Sequence, residues 1–148
     1  FALHPDNNLT HVYPLPAENP KKEYESLPLE YIFPVAQYDH DEGKAIAGGY
    51  EYTGSSIPAL KNKYLFGDIV NGRLFFIDVA NLQPGNPTEI KEWKVRLDGR
   101  NITLRTLSGN IRVDLRFGRD AKGEMYLFTK ADGKVYKLVA KKTASSGS

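Results

Sequence analysis

The chain contains no cysteine, one methionine and one tryptophan. Without cysteine it can form no disulfide staple, no thiolate nucleophile and no Cys-ligated zinc site, although the compartment stays open because exported bacterial proteins often lack cysteine too. One-sided charge is missing as well. Twenty Lys and Arg stand against eighteen Asp and Glu, a formal net charge of +2, and so weak a field gives no reason to expect nucleic acid or an anionic membrane as a partner. No apolar run approaches the roughly 20 residues of a membrane span. No signal peptide opens the chain, so a soluble protein is expected, with any export signal already removed.

What is present points to strands. The 148 residues, 41% hydrophobic and 26% charged, suit one globular unit. Nine Tyr, seven Phe, thirteen Gly and nine Pro favour pleated segments and tight turns over helices. Residues 1–28 carry Pro5, Pro14, Pro16, Pro20 and Pro28 and read as an extended arm, because each proline fixes φ and removes a donor. Residues 141–148 (KKTASSGS) read as a flexible tail. Between them, residues 29–140 hold short aromatic and β-branched runs: Leu29–Tyr38 (interrupted by Pro34), Ala45–Thr53, Lys63–Asp68, Gly72–Asp78, Glu89–Leu97, Ile111–Phe117, Glu124–Thr129 and Lys134–Val139. Asp120–Gly123 and Ala131–Gly133 read as hairpin turns, since Asp tolerates the left-handed region and Gly supplies positive φ. YLFGDIVNGRLFFID and MYLFTKADGKVYKLV repeat one layout of strand, Asp/Gly turn and strand. Strands in meander order over about 40–50 residues have the length of a propeller blade. An all-β fold follows, with about two four-stranded antiparallel blades of a partial β-propeller.

The segments Pro34–Asp78 (PVAQYDHDEGKAIAGGYEYTGSSIPALKNKYLFGDIVNGRLFFID) and Val113–Leu138 (VDLRFGRDAKGEMYLFTKADGKVYKL) together resemble the C-terminal blades of the glucose/sorbosone dehydrogenase family. That family consists of six-bladed propellers, several of them quinoproteins that oxidise sugars with pyrroloquinoline quinone (PQQ) and calcium. The resemblance implies a carbohydrate ligand and a secreted or periplasmic setting. It also sets out what this chain lacks. In catalytic members a Lys in the turn before the third strand and an Arg pair on the first strand of the last blade contact the quinone, and a His takes the sugar proton. Here the turn reads Asp68-Ile69-Val70-Asn71-Gly72 without Lys, the strand Ile111-Arg112-Val113-Asp114 offers one Arg, and no His matches the base.

Two blades leave sheet faces and an edge uncovered, which favours association with further copies. Three copies would complete a six-bladed ring, so a homotrimer is expected. Leu29–Tyr38 would supply the outer strand of the last blade, in its own chain or a neighbour. In a propeller, Asp39–Gly43, Asp68–Arg73, Arg100–Asn110 and Lys130–Gly133 would share the face around the channel mouth. Asp39, His40, Asp41 and Glu42 are the catalytic candidates there. Asp39, Asp41 and Glu42 offer hard oxygen ligands suited to calcium, although the same turn also reads as a solvated acidic loop whose Asp side chains bond nearby amides. Asp68, Asn71, Arg73, Arg105, Arg112 and Lys130 are the expected substrate contacts. Asp114 is read inside an alternating strand, facing opposite Val113 and Leu115 and on the same side as Arg112 and Arg116, where cross-strand charge pairing is expected. The expected function is a self-assembling scaffold or carbohydrate-binding module. The alternatives are a glycoside hydrolase using two carboxyl groups at the ring mouth, or a PQQ-dependent sugar dehydrogenase.

Overall fold

The computed structural model describes residues 34–83 and 87–141. The proline-rich arm, positions 29–33 of the first expected strand and the tail beyond Lys141 lie outside the described residues. The chain is all-β, with three antiparallel sheets among the described residues. The first contains β1 (Ile46–Glu51), β2 (Lys63–Asp68), β3 (Leu74–Asp78) and β4 (Lys91–Trp93) in sequence order. The second is the ribbon β5 (Val95–Leu97) and β6 (Arg100–Ile102), and the third is β7 (Leu115–Arg119), β8 (Met125–Thr129) and β9 (Lys134–Lys137). Among the described residues the sheets close neither a barrel nor a propeller.

In β1 the ladder to β2 shifts register between Ala47 and Tyr50. Gly49 makes the bulge possible, because a Cβ there would lie 1.6 Å from the carbonyl oxygen of Leu65. The sheet buries both faces. Leu65 and Leu74 point toward the third sheet, where they join Tyr52, Val113, Leu115, Met125, Leu127 and Leu138 in the main core. Phe66, Phe75 and Ile77 point the other way, under Val35, Ala36, Tyr38, Leu82 and Ile90. Burying each large apolar side chain stabilises the fold by about 1.5–3 kcal/mol.

Several expected boundaries move. The described part of the first expected strand, Pro34–Tyr38, is not a strand. Pro34 has no amide to donate, and the segment lies across the sheet, with Val35 accepting from the Thr88 amide (2.6 Å). The expected strand Glu89–Leu97 divides at Lys94 into β4 and β5, which belong to different sheets. The polar stretch read as a loop at Arg100–Asn110 contains β6 and the short helix α1 (Leu104–Ser108). Thr103 caps that helix, its hydroxyl accepting from the Thr106 amide (3.1 Å), and Gly109 ends it in the left-handed region at φ +67°.

The reading of Asp114 within an alternating strand is also overturned. Asp114 takes φ +51°, which a ladder does not tolerate, so pairing starts at Leu115. Its carboxylate binds Arg112 two residues back (Nε to Oδ1, 2.9 Å) rather than a partner across the sheet. The two expected hairpins are present, with Gly123 at φ +80° and Gly133 at φ +69°.

The repeat seen in the sequence is structural. Gly72 and Gly133 occupy the same place in it and have φ of +70° and +69°. The Ile69 amide donates to the Ala45 carbonyl (2.8 Å), and the equivalent Lys130 amide donates to the Asp114 carbonyl (3.3 Å). The third sheet is joined to the first at this level, where the amides of Val113 and Leu115 donate to the carbonyls of Val70 and Ile69 (both 3.1 Å).

Candidate functional site

The β2–β3 turn is built on Asp68. This buried carboxylate accepts from the amides of Lys44 (2.7 Å), Val70 (2.7 Å) and Asn71 (2.9 Å) and from Asn71 Nδ2 (2.9 Å). Burial alone would raise its pKa, but these donors, the Asn71 amide foremost, outweigh that and hold the carboxyl below its ordinary value. Asp68 is thus fully occupied in shaping two loops. Gly43 is part of the same arrangement, since a Cβ there would lie 2.5 Å from the Tyr38 ring and 3.0 Å from Asp68.

Next to the β2–β3 turn, the loops enclose a groove of about 550 Å³ lined in part by Asn71, Gly72 and Arg73. Arg73 spans one wall. It holds Glu92 through two hydrogen bonds (Nε to Oε1, 3.1 Å; Nη2 to Oε2, 3.0 Å), reaches Glu42 Oε2 (3.2 Å) and donates to the Glu42 carbonyl. Its guanidinium also lies 4.9 Å from the centre of the Phe75 ring. The bonds to Glu92 are the largest cause of its raised pKa, and in return Arg73 holds the Glu92 carboxyl below its usual range. On the other side α1 presents Arg105, which donates to Asn71 Oδ1. Asn71 thereby links the buried Asp68 to Arg105 in the groove wall. Trp93, Lys94, Asn101 and Thr103 complete the polar lining, with Leu74, Val95 and Leu104 below.

Four of the expected residues therefore come together: Glu42, Asn71, Arg73 and Arg105 all line the groove, and Asp68 reaches it only through its bonds to Asn71. The others lie elsewhere. Asp39, His40 and Asp41 form an exposed turn, in which Asp39 Oδ1 accepts from the amides of Asp41 (2.9 Å) and Glu42 (3.1 Å). Arg112 pairs with Asp114 outside the groove, and Lys130 lines a separate depression on the third sheet. Among the described residues no three His, Asp or Glu side chains converge as a metal-binding group. Asp39 serves backbone amides, and Glu42 turns to Arg73.

The sequence singles out neither Glu92 nor Lys94 as a site residue. In sequence they belong to one continuous strand. They reach the groove because that strand breaks at Lys94, and the only local signal was its imperfect alternation. No family model matches the chain, and no solved structure matches it.

Proposed function

We propose that this chain is a two-blade portion of a propeller of the glucose/sorbosone dehydrogenase type, which assembles with further copies of itself and binds carbohydrate in the groove between Arg73 and Arg105. The convergence of Asn71, Arg73, Glu92 and Arg105, from separate elements, around one groove beside Trp93 carries this reading. Planar amides, guanidinium groups and carboxylates match vicinal hydroxyls, and an indole offers an apolar face to a sugar ring. Binding is favoured over acid catalysis because the groove carboxylates Glu42 and Glu92 are both engaged by the Arg73 guanidinium, whereas a glycosidase needs one carboxyl kept protonated.

Quinone chemistry finds little footing in the residues present, since the β2–β3 turn offers Asn71 and no Lys. The four-stranded meander, the three-stranded sheet packed beside it and the repeated turn geometry support the blade reading. The test is saturation-transfer NMR with neutral and acidic monosaccharides and short oligosaccharides. At least one should bind, and Arg105→Ala should weaken it by about tenfold, the loss of a charge-assisted hydrogen bond. Absence of transfer to every sugar, in protein whose assembled mass has been confirmed, would remove the carbohydrate reading.

A further inference from the structure

We infer that the open face of the third sheet is the seat of a second copy of this chain, which places its Ile46 against Phe128 and Val135 in a head-to-tail contact. This rests on the self-assembly proposed above and identifies the surfaces it uses.

The argument comes from the repeat. Aligning the two halves on Gly72 and Gly133 matches Ile46 with Leu115, Gly67 with Phe128, and Leu74 with Val135; the shared amide bonds of Ile69 and Lys130 fix the register. Within the chain the contact is complete. Leu115 is fully buried against the first sheet, close enough that a Cβ on Gly67 would lie 2.7 Å from it, and Leu74 is 3% exposed. Their equivalents at the two ends of the chain are open: Ile46 is 51% exposed and Val135 is 56% exposed. A depression of about 420 Å³ lies on the third sheet between Phe117, Phe128 and Val135, and Phe128 and Val135 are direct partners in the ladder. Apolar counterparts of both halves of that contact are thus left over, one at each end, with the Phe128 ring standing where Gly67 admits Leu115.

Charge selects the same pairing. Arg116, Lys130 and Lys134 rim the depression, and among the described residues Arg116 and Lys130 form no ion pair. The turn leading into β1 carries Asp39 and Asp41, which among the described residues are likewise without an ion-pair partner, and next to them Glu42. Repeating the internal relationship brings that acidic turn over the β8–β9 loop that holds Lys130. The rear face of the first sheet is already covered by Val35, Ala36 and Tyr38, so the second copy meets the other through β1, its entering turn and this covering segment. The two surfaces differ, so the contact is heterologous and repeats from copy to copy until a ring closes.

Because the chain has no cysteine, single cysteines report the contact directly. Ile46→Cys and Val135→Cys are made separately in the full chain and treated with a short bismaleimide, alone and mixed. A head-to-tail contact gives crosslinked dimer in the mixture and none from either variant alone. Ile46→Asp should at the same time reduce the mass by light scattering to that of one chain, with an unchanged circular dichroism spectrum and melting temperature under conditions where the parent is monomeric. Crosslinking of Ile46→Cys with itself, or no crosslink in the mixture although light scattering reports an assembly, would overturn this contact and leave self-assembly standing. A parent protein of single-chain mass at all concentrations would overturn both.

Discussion

Glu124 ties the two large sheets together with one carboxylate. Oε1 accepts from the amides of Ser55 (3.1 Å) and Ser56 (3.0 Å) and from the Ser56 hydroxyl (2.8 Å), while Oε2 accepts from Tyr52 (2.6 Å), whose oxygen in turn accepts from the Ile57 amide (2.9 Å). The Tyr52 hydroxyl is the largest cause that lowers the Glu124 pKa from 4.5 to about 2. A carboxyl whose pKa falls on folding contributes stability that is complete above its unfolded pKa and is lost as pH falls through the folded value. The melting temperature should therefore drop between about pH 4.5 and pH 2, and Tyr52→Phe should lower it at pH 7 while flattening that acid limb; thermal melts across this range check both. Sequence gave no hint of this role, because a Glu after a Gly turn reads as solvated surface and its partners lie 68 to 72 positions away. Asp68 reads from the sequence as a ligand contact; it is instead saturated by donors, one of which, the Lys44 amide, comes from another loop that no local pattern joins to it.

Glycines divide β1 into a tolerant and an intolerant half. At Gly48 an added Cβ meets nothing within 4 Å, whereas at Gly49 it would enter the Leu65 carbonyl. Gly48→Ala should change stability by no more than about 0.5 kcal/mol, and Gly49→Ala should cost about 1–3 kcal/mol or more through forced backbone shifts; urea unfolding of the two variants measures the difference. At this scale most of the fold was legible, because alternating aromatic runs and Asp/Gly turns report local pleating and reversal. The interruptions were not. The break at Lys94 and the left-handed Asp114 come from where the chain must leave one sheet for the next, a demand set by packing between sheets and not by neighbouring residues. The helix α1 is only five residues long, too short for a periodicity to be read, although its Thr cap and terminal Gly were in plain view.

For the whole molecule, the repeat was the most informative sequence feature, since it placed equivalent residues before any contact was known. The groove was partly legible for the same reason: loops at matching places in successive strand pairs gather on one side, which brought Glu42, Asn71, Arg73 and Arg105 together and left Lys130 on the other sheet. The association proposed through an acidic turn and a basic rim would carry a salt dependence. Light scattering at fixed protein concentration should show the average mass falling as sodium chloride is raised, and Lys130→Glu should weaken assembly further at low salt.

Gly67 sits at the joint between the two large sheets, where a single methyl would meet the Arg73 carbonyl at 2.5 Å and Leu115 at 2.7 Å. Leu115 of the third sheet therefore packs directly on the β2 backbone, an approach that only glycine at position 67 admits. Phe128 stands at the equivalent place on the open face, so a copy seated there would meet a ring where Leu115 meets bare backbone, and the steps inside and between chains would differ.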